Sequence, residues 1–126
     1  MKELAIRYAV GALIFNEKRE YLVLRRNPQR YLGWGLVKGG IDEGENALQA
    51  LERETMEEIG IPITLEKVID LDYKSAYYDN TKKQVGLVQW FIVLIDSDSE
   101  FKLQLDEWVD YKWVSYDEAW HKLTWQ

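Results

Sequence analysis

Three glutamates, Glu54, Glu57 and Glu58, stand at i, i+3 and i+4 in a stretch that reads as helix. At about 100° per residue they share one arc of about 100°. Like charges at these spacings destabilise a bare helix by about 0.2–0.5 kcal/mol per pair. The three also fall in the C-terminal half of the helix, where its dipole disfavours negative charge. A divalent cation reverses the sign of both costs, and hard carboxylate oxygens suit Mg²⁺ or Mn²⁺. A solvated acidic face is the other reading, and the spacing alone leaves both open. Arg53 flanks the arc on one side. On the other runs an apolar stripe of Leu48, Leu51, Thr55 and Ile59, so Glu58 is expected to be partly buried. Ala47 and Ala50 lie beside the acids and are too small to obstruct a ligand.

The elements that must hold these acids carry their own signals. Asn46 followed by Gln49 is a variant of the capping box, and Gly60 followed by Pro62 stops the helix. Just before it, residues 33–44 hold five of the eight glycines (Gly33, Gly35, Gly39, Gly40 and Gly44). That density reads as a loop needing unusual backbone angles or close approach to a ligand. If Gly39 takes a positive φ, alanine there should disturb the loop. Residues 4–15 and 21–25 read as a hairpin, and 63–78 as a strand with a bend before a polar turn from Asp79 to Lys83. Residues 85–95 read as a central strand and 108–114 as another. Ser115 and Glu118 form a capping box opening a last helix through Leu123. The expectation is α+β, a mixed central sheet flanked by helices, in a single domain over residues 1–126.

Composition narrows the chemistry. The 126 residues carry 22 acidic and 16 basic side chains, a net charge of −6, which argues against duplex nucleic acid as partner. No apolar stretch is long enough to span a bilayer, so no membrane partner is expected. The first residues, with Glu3 among them, do not read as a signal peptide. The absence of cysteine excludes thiolate chemistry and Cys-ligated zinc and fits a reducing, cytoplasmic location. With a single histidine, His121, acid–base work falls to carboxylates. Residues 96–100 space their acids like a calcium loop, but Phe101 occupies the position where the turn requires glycine, so the run reads as a hairpin loop.

Gly39, five residues, Glu45, seven residues, then Arg53-Glu54-Thr55-Met56-Glu57-Glu58-Ile59-Gly60-Ile61 resembles the Nudix box of the Nudix hydrolases. Every fixed polar and glycine position is matched, while Thr55 stands at an aliphatic one. The resemblance implies an α/β/α sandwich and Mg²⁺-dependent (or Mn²⁺-dependent) hydrolysis of a phosphoanhydride bond. It implies that Glu54, Glu57 and Glu58 bind the metal with the carbonyl of Lys38, and that Glu45 and Arg53 brace them. Residues 34–39 and 105–113 are similar to the asymmetrical diadenosine tetraphosphate hydrolases, although Val37 replaces the usual Pro. That likeness puts Glu107 near the metals as a further acid, a base or ligand.

The expected substrate is therefore a small nucleotide polyphosphate, first a dinucleoside tetraphosphate. A pyrophosphohydrolase acting on a nucleoside triphosphate or an RNA 5′ end is the alternative. From another class come a non-catalytic nucleotide-binding module and an interaction domain using exposed aromatics. Lys38 and Arg26 are the leading phosphate-gripping cations, with Arg25, Arg30, Lys82 and Lys83 further candidates. Tyr77, Tyr78 and Trp34 are candidates to stack on a base. The chain is expected to be a monomer or homodimer.

Overall fold

The structure, a computed structural model, describes residues 5–124. Leu4, expected to open the first strand, and the first residues read for a signal peptide lie outside the described residues. Among the described residues, seven strands form one mixed sheet. In chain order they are β1 (Ala5–Phe15), β2 (Tyr21–Arg26), β3 (Trp34–Gly35), β4 (Val37–Gly40), β5 (Val68–Asp79), β6 (Gln84–Leu94) and β7 (Trp108–Val114). Two α-helices complete the frame, α1 (Ala47–Ile59) and α2 (Tyr116–Thr124). Strand β1 is the spine: it runs parallel to β6 along its whole length and antiparallel to β4, with Val10 opposite Gly39 and Gly11 opposite Lys38. Strand β2 joins it through Phe15 opposite Tyr21 and carries β7 and β3.

Successive strand side chains point to opposite faces, and β2 shows where the helices must lie. Leu22 and Leu24 enter the main core with Leu51 and Ile59 of α1. Between them, Val23 enters a second cluster with Val114 and Ala119 of α2. The helices thus cover opposite faces, giving the expected sandwich. No helix among the described residues is long and apolar enough to cross a membrane.

Helix α1 forms where its caps placed it. The Asn46 side chain accepts from the Gln49 N–H and the Gln49 side chain from the Asn46 N–H, both at 2.9 Å. Gly60 closes the helix in the left-handed region (φ 72°), its N–H donating to the Met56 carbonyl. The core stripe differs from the one expected. Ala50, Leu51, Thr55, Glu58 and Ile59 are buried, whereas Leu48 is 38% exposed. The buried face is turned toward the acids, so the acidic arc overlaps it instead of merely adjoining it. Thr55 fits an aliphatic position because its hydroxyl donates to the Leu51 carbonyl at 2.7 Å, leaving no polar group unanswered.

Three other expectations change. The glycine-rich segment contains β3 and β4 rather than a continuous loop. The strand predicted from residue 63 begins at Val68, and the bend is a register shift between Asp70 and Tyr73 with Asp72 at φ 52°. Residues 96–100 do not close a hairpin, because β7 pairs with β2 and not with β6. The segment after β6 crosses the end of α1, where the Lys102 and Gln104 N–H groups donate to the Ile59 and Glu58 carbonyls at 2.9 Å. That crossing answers open carbonyls of the helix and delivers Glu107 and Trp108 to its acidic face.

Candidate active site

Arg53 is the hub of the acidic face. Its Nε and Nη2 grip both oxygens of Glu45 at 2.7 and 2.9 Å, a bidentate fork. Nη2 also donates to the Gly40 carbonyl at 2.8 Å, which ties α1 to β4. Nη1 reaches Glu54 at 2.8 Å and Glu57 at 3.4 Å. The Arg53 fork, then the Asp42 N–H, hold the Glu45 carboxyl down to about 2. Arg53 is in turn held cationic, chiefly by its hydrogen bonds to Glu45.

Strand β4 lies directly under Glu54. A Cβ at Gly39 would sit 2.1 Å from the Glu54 carboxyl carbon, far inside contact distance. Gly39 is not among the glycines with positive φ, so close approach, not backbone freedom, explains the glycine and corrects the expectation made for it.

Glu58 forms the floor. It is 5% exposed, and its Oε1 accepts from the indole N–H of Trp108 at 2.8 Å. Its Oε2 is buried with no partner, one of two such side-chain atoms among the described residues. Burial pushes its carboxyl well above the carboxylate range; neighbouring Glu54 adds to this and the Trp108 indole opposes it. Sequence reasoning missed Trp108 here, since nothing local links positions fifty apart.

Glu54, Glu57 and Glu58 line a cleft of about 370 Å³ together with Glu107, Lys38 and Tyr77, whereas Glu45 stands outside its lining. Glu107 is held by Arg30 at 3.2 Å, a partly exposed pair that orients more than it stabilises. Lys38 places its ammonium 4.3 Å from the Tyr77 ring centroid. Burial lowers the affinity of that ammonium for its proton, and the positive charge of Arg26 works in the same direction. A second lobe of about 750 Å³ shares Lys38, Tyr77, Glu58, Glu107 and Tyr31 and adds Arg26 and Tyr78.

Two expected residues lie elsewhere. Trp34 packs against the second core cluster with Lys122 over its ring at 4.2 Å, so it does not face the cleft. Lys83, at φ 54° in the β5–β6 turn, donates to Asn80, and its neighbour Lys82 lines the cleft instead. Ala50 is wholly buried and Ala47 packs on the core, so neither borders the ligand space. Arg7 of β1, which sequence gave no reason to select, lines the cleft above Gly40.

The donor set fits a hard divalent cation: several carboxylates in one cleft, one with a buried oxygen lacking any partner. Among the described residues, no three acidic or histidine side chains are already gathered in a metal-holding arrangement. The reason is visible in the contacts, for Glu54 and Glu57 both turn to Arg53 Nη1 while Glu58 stays with Trp108.

Residues 5–126 match the family profile described as the NUDIX domain. An RNA pyrophosphohydrolase of Ruthia magnifica subsp. Calyptogena magnifica is 34% identical over 121 residues, covering 85% of this chain and 66% of that protein. The chain thus spans just under two thirds of that relative. The asymmetrical bis(5′-nucleosyl)-tetraphosphatase of Rattus norvegicus is 32% identical over 120 residues, covering 88% and 80%. Among solved structures, the MutT protein from Methanosarcina mazei Go1 superposes with a TM-score of 0.80 at 26% identity, covering 96% of this chain and 85% of that one.

Proposed function

This chain belongs to the Nudix family, whose members generally use divalent metal cations, and we propose that it is a Mg²⁺-dependent hydrolase of a dinucleoside tetraphosphate. The observation that carries the reading is two adjoining hollows that share lining residues and carry both acids and cations. Glu54, Glu57, Glu58 and Glu107 line the first. Arg7, Lys38, Lys82 and Arg26 each line one or both, and none of them is ion-paired to a carboxylate among the described residues. Unpaired cations beside an acidic cluster suit a polyphosphate that carries its own metal.

In this reading Glu54, Glu57 and Glu58, with the Lys38 carbonyl, hold Mg²⁺ or Mn²⁺. When bound, the ion neutralises charge developing on the phosphoryl oxygens. Arg53 and Glu45 fix the acids in place. Lys38, Arg26, Arg7 and Lys82 bind phosphate oxygens, and Tyr77 and Tyr78 offer faces to a base. Glu107 accepts a proton from water as its oxygen attacks phosphorus, and the bridging P–O bond breaks. The products are a mononucleotide and a nucleoside triphosphate. A cysteine-free chain suits the reducing cytoplasm for this work.

A second reading is removal of pyrophosphate from an RNA 5′ end. The Ruthia relative carries that activity in its name. Incubating the protein with Mg²⁺ and a nucleotide panel separates the two by chromatography. AMP and ATP from diadenosine tetraphosphate support the main reading. Pyrophosphate from triphosphorylated RNA, with the dinucleotide untouched, replaces it with the second.

A further inference from the structure

We propose that Trp108 is a positioning residue for the reaction, holding Glu58 through its indole N–H and Arg26 through its ring face. One side chain thereby sets the acidic and cationic linings of the cleft in register. The inference rests on the metal role given to Glu58 above.

Trp108 opens β7 and is 2% exposed. Its place is fixed twice by the backbone: its N–H donates to the Gln104 carbonyl at 2.9 Å, and it stands opposite Arg26 in the β2–β7 ladder. From there Nε1 donates to Glu58 Oε1 at 2.8 Å. That single bond occupies one carboxylate oxygen and leaves Oε2, which has no partner, as the free one. An indole N–H donates and cannot accept, so it holds a carboxylate oxygen at one fixed point. On the ring face the Arg26 guanidinium sits 5.2 Å from the centroid, within cation–π range.

Gly35 of β3 makes the stack possible. A Cβ there would lie 2.5 Å from Arg26 Nη2 and 3.0 Å from the Trp108 ring. Arg26 is therefore laid between a glycine and an aromatic face, in the second lobe beside Lys38. A tryptophan serving only to fill the core would need neither the directed N–H nor the guanidinium on its face.

Two substitutions separate the two contacts. Trp108→Phe keeps a ring face for Arg26 and removes the N–H; Trp108→Leu removes both. Mn²⁺ affinity is read by electron paramagnetic resonance, kinetics on diadenosine tetraphosphate by product release, and folding by circular dichroism. Trp108→Phe should weaken Mn²⁺ binding by about tenfold or more and lower kcat with KM little changed. Trp108→Leu should add a rise in KM. Trp108→His, which restores a ring N–H, should recover part of the Mn²⁺ affinity.

Wild-type Mn²⁺ affinity in folded Trp108→Phe overturns the inference and leaves the reading of the acids intact. Absence of Mn²⁺ binding in the wild-type protein overturns both. Should the variants fail to fold, the wild-type protein carries the test through nuclear magnetic resonance: Mg²⁺ titration must move the Trp108 indole N–H resonance, and an unmoved resonance overturns the proposal.

Discussion

Around Arg53 each nearby carboxylate has its charge answered, and Glu45 has both oxygens held by the guanidinium. At the floor of the same cleft, Glu58 is buried with one oxygen held by Trp108 and the other by nothing. The two regions adjoin the same helix yet are built to opposite rules. Bidentate pairing makes Glu45 easy to ionise, while burial makes Glu58 hard to ionise. A fully satisfied acid is a fixture; a buried one with an open oxygen takes on its charge when a cation arrives to answer it.

The largest break in that contrast is Glu58→Gln. Activity should fall by about 10³-fold, the equivalent of several kcal/mol of lost charge stabilisation, while metal-free thermal stability holds or rises. Turnover near wild type would remove Glu58 from the metal site. Arg53→Ala attacks the other region and should lower kcat/KM by about 10–100-fold, with Mn²⁺ affinity falling alongside, as expected of a group that orients ligands. Gly39→Ala pushes on Glu54 from below and should cost about tenfold in activity with the fold retained by circular dichroism.

Melting curves across pH sharpen the contrast without mutation. For Glu45 the folded pKa is lowered from 4.5 to about 2, so its contribution is present above 4.5 and lost as pH falls toward 2. For Glu58 the folded pKa is raised above 4.5, so its contribution is present below 4.5 and lost as pH rises through the folded value. The metal-free protein should therefore lose stability on both sides, with Glu58→Gln flattening only the alkaline limb and Glu45→Gln only the acid one. The smallest effect belongs to Trp34→Phe, away from the cleft, whose kcat/KM should stay within about twofold of wild type.

What could be read without coordinates was whatever is local. Helix α1 starts at Asn46 and stops at Gly60 because both caps are written within four residues of their partners. The 108–114 strand likewise matched its bounds. Strand β4 was hidden because its glycines look like a loop, and only the distant Glu54 reveals why a side chain is excluded there. The Trp108–Glu58 bond joins positions that no periodicity connects. Lys82 and Lys83 are adjacent, and the turn's backbone angles decide which of them faces the cleft. Trp34 was placed by its glycine neighbours, whereas packing beneath α2 decided its position.

The parallel ladder of β1 with β6 has a consequence for synthesis. Ala5 pairs with Gln84 and Phe15 with Leu94, so β1 cannot complete this edge until residues 84–94 have been made. A nascent chain halted before residue 84 exposes an eleven-residue strand edge with its backbone donors and acceptors open. Translational pausing in that interval leaves this edge open to pairing with neighbouring chains.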